Sequence, residues 1–226
     1  MLSVVIPTLN GGQVLGALLA ELCHAREAGV DLEVVVSDGG STDETASLAR
    51  SAGARLIEGP AGRGRQLARG AAEAAGEWLL FLHADTRLDP RWAAAVTSFA
   101  ADQANAERAA VFRFALDDTS PAARRLEAGV AWRCRALGLP YGDQGLLLAR
   151  AFYERLGGFK AIPLMEDVDL VRRIGRRRIM VLDLPAVTSA ARYREDGWML
   201  RPLRNLLCLA LYLAGVPPRH ILRFYG

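Results

Sequence analysis

The sequence predicts an α/β protein whose mostly parallel sheet is flanked by helices, and three observations carry that prediction. Strand and helix signals alternate regularly over the first 100 residues. The run Leu79, Leu80, Phe81, Leu82 is apolar without alternation, as in a strand covered on both faces. Polar groups also gather just past strand ends, in "PTLN", "DGGSTD" and "HAD", where open α/β sheets bind their ligands.

Each element follows from its own residues. "SVVIP" (3–7) is apolar and β-branched, and reads as the first strand. Beyond "TLNGG", Val14, Leu15, Leu18, Leu19, Leu22 and Cys23 recur at helical spacing. "LEVVVSD" (32–38) is the second strand and ends in Asp38. "STDETASLARSAG" reads as a helix with Ser41 or Thr42 at its N-cap and Gly53 at its end. "ARLIEG" is the third strand and "GRGRQLARGAAEAAG" the third helix. The fourth strand leads to Asp85, and Pro90 opens the next helix where proline is tolerated. Strands joined by helices imply βαβ units with right-handed crossovers. The second half is less regular: "AAVFRFALDD" and "QGLLLAR" read as strands, and 121–138 as a helix.

Composition narrows the classes. At 226 residues, 51% hydrophobic and 23% charged, the chain is long enough to bury a large core. Its 28 Lys+Arg against 25 Asp+Glu give only +3, too little to argue for a nucleic-acid partner. Arg172, Arg173, Arg176, Arg177 and Arg178 cluster, as a solvated helix end or as a contact for an anion. Cys23, Cys134 and Cys208 are odd in number and far apart, so neither a disulfide framework nor a zinc site is expected. With a strand-like start and no leader pattern, the expectation is a reduced, cytoplasmic protein. "LLCLALYLAGV" (206–216) is too short for a membrane span. It reads either as a buried helix or, with arginines and aromatics around it over 198–226, as a peripheral contact with the inner face of a bilayer.

The polar strand ends limit the ligand. The first turn, Pro7-Thr8-Leu9-Asn10-Gly11-Gly12, is not GxGxxG, which argues against a dehydrogenase, and no P-loop occurs. Asp38 and Asp85, at two strand ends, instead suit a base or ribose contact together with a divalent cation, Mg or Mn.

Taken in order, "SVVIPTLN", "VVVSDGGSTDET", "GRGRQLARGAAEAAGEWLLFLHADT" and "MEDVDLVRRI" resemble the family-two glycosyltransferases. The nearest likeness is to the small bacterial branch that often accompanies radical-SAM proteins. The resemblance covers nearly the whole chain and implies a Rossmann-like nucleotide-diphospho-sugar transferase fold. It further implies one domain over 1–226: a nucleotide-binding half over about 1–104, an acceptor and catalytic half over about 105–197, and C-terminal helices over 198–226. By the same resemblance, Pro7, Thr8 and Asn10 line the nucleotide pocket and Asp38 meets the base. Arg63 and Arg65 face nucleotide and diphosphate, and Asp85 holds the metal. Asp167, with Glu166 beside it, deprotonates the acceptor hydroxyl. Asp143 and Gln144 in "YGDQG" are candidate acceptor contacts, though a glycine turn explains them almost as well.

Two departures from the family pattern matter. His83 stands where Asp-x-Asp has its first acid, and a ribose contact, a metal ligand and a structural group remain open for it. The QxxRW pattern of processive synthases is absent, which favours one sugar per acceptor. The implied reaction is therefore inverting, metal-dependent transfer of a single sugar from a UDP- or GDP-sugar to a hydroxyl acceptor. A nucleotidyltransferase is the first rival, but "PTLNGG" lacks the basic residue such a loop carries. A non-catalytic nucleotide-sugar binder is the second, and the Glu166-Asp167 pair speaks against it.

Overall fold

A computed structural model describes residues 1–225. Its strands are β1 (Leu2–Thr8), β2 (Leu32–Asp38), β3 (Arg55–Glu58), β4 (Trp78–Phe81), β5 (Arg87–Leu88), β6 (Ala109–Leu116), β7 (Leu146–Ala149) and β8 (Ile179–Thr188). They form one sheet in the order β3-β2-β1-β4-β7-β6-β8-β5. Pairing is parallel except around β7 and the short β5, which run the other way.

Register explains why one sheet edge collects the polar groups. Thr8 lies opposite Asp38, and Val5 opposite Phe81, so the carboxyl ends of β1, β2 and β4 open together. Phe81 also lies opposite Leu146, so the turn before the reversed β7 comes to the same edge. Leu116 pairs with Thr188, which brings the ends of β6 and β8 there too.

The helices cover both faces. On one face are α1 (Gly12–Glu27), α2 (Thr45–Ser51) and α4 (Trp92–Ala101); on the other are α3 (Arg63–Glu73), α6 (Arg150–Arg155) and α7 (Glu166–Ile174). Val4, Ile6, Leu80 and Leu82 pack toward the first group, and Val5, Leu79 and Phe81 toward the second. Successive strand residues point to opposite faces, so a strand buried on both sides is apolar throughout. That is the physical basis of the unbroken run from Leu79 to Leu82.

The remaining helices are α5 (Pro121–Leu137), α8 (Ala191–Asp196), α9 (Leu200–Leu213) and α10 (Pro218–Tyr225). Ser120 caps α5 through Ala123 N, with Pro121 in its first turn and Gly138 at its end (φ 62°). Cys208, Leu209 and Ile221 seat α9 and α10 against Leu139, Val168 and Val171. Leu200, Leu203, Leu206 and Leu207 of α9 are exposed, so this segment is buried on one side only. No helix among the described residues is long and apolar enough to cross a membrane.

The structure corrects several boundaries. The helix after β2 begins at Thr45, because Ser41 and Thr42 bond to the first loop and do not cap it. The helix near Pro90 begins at Trp92, after a turn in which Asp89 accepts from Arg91 N at 2.9 Å. β8 has no counterpart in the sequence reading, since its burial is uneven and its pairing with β6 shifts register at Phe112/Arg113. In the arginine cluster, Arg173 is structural: it pairs with Asp169 and donates to the carbonyls of Leu156 and Gly158.

Candidate active site

Two loops meet at the ends of β1 and β2, and their side chains stitch them together. Asn10 N donates to Ser41 Oγ (2.8 Å), and Asn10 Oδ1 accepts from Thr42 N (2.9 Å). Gly11 N donates to Thr45 Oγ1 and Gly12 N to Asp43 Oδ2, each at 2.9 Å. The Asp38 carboxylate accepts from Gly40 N, Ser41 N and Ser41 Oγ within its own loop. It is buried and lines neither of the two cavities described next. From α3, Gln66 donates to the carbonyls of Thr8 (2.6 Å) and Ser37 (3.0 Å). Arg69 donates to the Asp38 carbonyl at 2.6 Å.

Beside these loops lies a cavity of about 470 Å³, lined by Pro7, Thr8, Asn10, Gln66 and Ala84 among others. A second, of about 370 Å³, opens between α5 and α9 and reaches Asp143 and Asp167. Both volumes suit small-molecule ligands. Arg63, His83, Asp85, Ser189 and Arg192 line both cavities and mark their junction.

The junction has a definite charge pattern. Burial, reinforced by Arg63 and Arg192, pushes the His83 imidazole down to about 3, so it is neutral at physiological pH. Asp85 Oδ2 accepts from Thr188 Oγ1 at 3.2 Å. Glu166 is almost fully buried, with Arg63 Nε 3.7 Å from its Oε1. Burial and the adjacent Asp167 push the Glu166 carboxyl up, against the pull of Arg63.

The neighbouring carboxylates of "MEDVDL" have different surroundings. Asp167 lines the 370 Å³ cavity, whereas Glu166 faces inward toward Arg63. Asp167 Oδ2 accepts from Gly142 N (2.8 Å), and Oδ1 accepts from Val168 N (2.7 Å) at the start of α7. A carboxylate has further lone pairs for a ligand's proton. Gly142 lies close to both groups: a Cβ there would stand 2.8 Å from His83 Nε2 and 3.5 Å from Asp167 Oδ2.

Of the expected site residues, Pro7, Thr8, Asn10, Arg63, His83, Asp85, Asp143 and Asp167 reach the two cavities. Arg65 is exposed and lines neither cavity, because it lies one residue off the inward stripe of α3. Asp143 and Gln144 part company. Asp143 lines the second cavity, and burial raises its carboxyl to about 6. Gln144 is buried, donating to the Phe112 carbonyl (3.0 Å) and accepting from Cys134 Sγ (3.2 Å). Thr188, Ser189 and Arg192 were not foreseen, because their place depends on β8 pairing with β6. The one sequence signal for them is the polar and basic run "TSAAR" (188–192).

Among the described residues no cluster of three or more His, Cys, Asp or Glu side chains is disposed to hold a metal ion. Asp85 and the neutral His83 are the donors at the junction. Magnesium is commonly bound by one or two carboxylates plus substrate phosphates. These residues therefore fit a hard cation shared with a phosphate ligand, not one caged by protein alone.

The family model described as "Glycosyl transferase family 2" matches residues 3–139. The chain is 44% identical over 95 residues to a PGL/p-HBAD biosynthesis glycosyltransferase of Mycobacterium bovis, a match spanning 39% of this chain and 36% of that one. It is 50% identical over 56 residues to a validoxylamine A glucosyltransferase of Streptomyces hygroscopicus, covering 25% of this chain and 12% of that one. These matches thus span well under half the length of either relative. Among solved structures it resembles Mycobacterium tuberculosis glucosyl-3-phosphoglycerate synthase in complex with Mn2+ and UDP-glucose (TM-score 0.66, 21% identity, 96% of this chain and 80% of that one). It also resembles Staphylococcus aureus TarS (TM-score 0.62, 15% identity, 99% and 69%). These likenesses establish the fold: an α/β sheet, mostly parallel and flanked by helices, of the nucleotide-sugar transferase type.

Proposed function

Because the chain belongs to glycosyl transferase family 2, we propose that it transfers a single sugar from a nucleotide-diphosphate donor to a hydroxyl acceptor, with inversion. The observation that carries this reading is the junction: two cavities meet at Arg63, His83 and Asp85, and Asp167 faces the second. The donor occupies the 470 Å³ cavity, with Pro7, Thr8 and Asn10 along the nucleotide. Asp38 holds the loop that meets the base, uracil or guanine. The acceptor enters the 370 Å³ cavity.

The residues divide the chemistry. Departure of a nucleoside diphosphate builds negative charge, which Arg63 and Arg192 flank at the junction. Asp85, with the neutral His83 beside it, would hold Mg or Mn, which when bound supplies further positive charge to that diphosphate. Asp167 accepts the acceptor's proton at a carboxylate oxygen, and Gly142 N fixes its orientation. Glu166 positions Arg63. One base and a single displacement invert the anomeric carbon.

The finer placements belong to the same proposal. Residues 1–226 act as one transferase unit, in the branch that accompanies radical-SAM proteins, as the four sequence motifs suggest. The setting is cytoplasmic. The half-buried α9 and α10, with exposed Arg219 and Arg223, rest on an anionic bilayer. Co-sedimentation with anionic against neutral vesicles tests that contact; equal recovery in the supernatant refutes it.

The deciding experiment offers a panel of nucleotide sugars with a divalent cation and follows the products. A transferase releases nucleoside diphosphate, slowly to water and faster to an acceptor. Formation of a nucleoside triphosphate and a sugar phosphate when pyrophosphate is added would mark a nucleotidyltransferase instead, and tight donor binding without any release a non-catalytic binder.

A further inference from the structure

We propose that the acceptor is an amphiphile: its hydroxyl lies against Asp167 and Asp143, and an aryl or alkyl body attached to it fills the trough between α5 and α9. This rests on the transferase reading and specifies its substrate class.

The cavity wall is polar where it is buried and apolar where it is open. Three of its lining residues carry a buried polar atom without a partner, Arg133 Nη2, Asp143 Oδ1 and Asn205 Oδ1, against one, Thr8 Oγ1, in the donor cavity. Buried polar groups are nearly always hydrogen-bonded, so three orphans in one cavity point to a polar ligand group there. Around the mouth stand Trp132, Leu137 and Leu206, which are 62%, 48% and 60% exposed. Single exposed apolar side chains are ordinary, but a group of them ringing a polar site marks a binding surface. A free sugar would satisfy the floor and leave this rim wet.

Charge argues the same way. Of this cavity's four arginines, Arg63 and Arg192 stand at the junction beside the donor, and the other two are at least partly engaged. Arg133 Nε donates to the Leu139 carbonyl (2.8 Å), and its guanidinium stacks 3.5 Å from the Tyr141 ring centre. Arg201 pairs with Asp196. The floor meanwhile presents the carboxyl groups of Asp143 and Asp167. A neutral hydroxyl fits that floor better than an acidic acceptor.

Gly129 leaves room for such a body. It lies in the interior of α5, where glycine weakens a helix, and it lines this cavity. A Cβ built there meets nothing within 4 Å, so protein packing does not call for glycine. The space stays open for a body that passes close to the helix backbone.

The test measures transfer from the best donor to acceptors sharing one sugar head group but carrying methyl, phenyl or octyl substituents, beside the free sugar and phosphoglycerate. We expect kcat/KM to rise about tenfold or more from methyl to phenyl or octyl. Gly129→Phe, checked for folding by its melting temperature, should raise KM for the octyl acceptor with kcat largely kept, as loss of uniform binding does. The methyl acceptor should be affected much less. A flat response across the series, or a preference for free sugar or phosphoglycerate, would overturn this inference and leave the transferase reading intact. No release of nucleoside diphosphate to any acceptor or to water would overturn both.

Discussion

The donor side and the acceptor side of the cleft differ in how far the protein satisfies its own polar atoms. At the donor side, Asn10, Asp38, Asp43 and Gln66 use their polar atoms to bind the two loops to each other and to α3. The loops are thus held in shape by the protein's own hydrogen bonds. The donor cavity has one lining residue with a buried unpaired atom, Thr8 Oγ1, whereas the acceptor side has three, Arg133 Nη2, Asp143 Oδ1 and Asn205 Oδ1, beneath the exposed Trp132, Leu137 and Leu206. A preformed donor pocket lowers the ordering cost of binding. An unsatisfied acceptor pocket discriminates, because a ligand lacking the right polar groups leaves those atoms unpaired.

The largest effect should come from breaking the division of labour at the junction. Asp167→Asn keeps the size of the side chain but cannot take a proton. Loss of a general base costs ~100 to 10,000-fold in rate, roughly 3 to 5 kcal/mol of barrier. Donor affinity should stay close to that of the native protein. Asp85→Ala should instead weaken binding of cation and donor together. Calorimetric titration of donor into both variants, beside turnover, decides. Donor binding abolished by Asp167→Asn yet intact in Asp85→Ala would mean that the two roles are exchanged.

The next effect follows from an acceptor-side carboxyl that is costly to ionise. Burial raises Asp143 from the usual 3.8 to about 6, so the fold favours its protonated form. Between those pH values the unfolded chain has released a proton that the native state retains, and stability falls as pH rises. Below about 4 the penalty is absent; above about 6 it is complete, at most about 3 kcal/mol. Asp143→Asn should therefore raise the melting temperature at pH 7.5 and leave it nearly unchanged at pH 4. Equal shifts at both pH values would show that Asp143 is not desolvated.

Helix glycines provide a matched pair across the cleft. On the donor side Gly64 of α3 touches backbone: a Cβ there would stand 2.3 Å from the Lys160 carbonyl and 3.0 Å from that of Ile162. Neither neighbour is a flexible side-chain tip. Gly64→Ala should destabilise by about 1 to 3 kcal/mol, as overpacking does, and displace Arg63 next to it. Urea unfolding gives the stability change, and donor titration should weaken in parallel. Unchanged stability would mean that α3 is free to move away from the 160–162 loop.

How far the cleft is legible in the sequence also differs between its sides. Leu79 to Leu82 is unmistakable, because burial on both faces removes every polar residue, and His83 and Asp85 follow it directly to the sheet edge. Ser41 and Thr42 look like helix caps, because local propensity takes no account of a partner loop about 30 residues away in the chain. β8 is hidden by its uneven burial, and with it Thr188, Ser189 and Arg192. Gln144 and Asp143 are neighbours of similar polarity. Only the packing of their turn against Phe112 and Cys134 decides which one faces the cavity. Regular, locally encoded strands thus carry the donor side, whereas contacts distant in sequence assemble the acceptor side.

The smallest effect has the opposite sign to that at Gly64, and it bears most directly on why the acceptor side is open. Gly129 lies at an interior position of α5, and a methyl group added there would meet nothing within 4 Å. Alanine there loses less backbone entropy on folding, so Gly129→Ala should stabilise by about 0.5 to 1 kcal/mol. In a chain of this size that raises the melting temperature by roughly 1 to 4 °C. Donor binding should not change, since Gly129 lines only the acceptor cavity. A small rise in KM for bulky acceptors should accompany the gain in stability, because the added methyl group takes volume from the trough. Stabilisation with improved use of every acceptor would remove the functional reason for glycine at this position. Destabilisation would mean that α5 packs more closely in solution than the open trough implies.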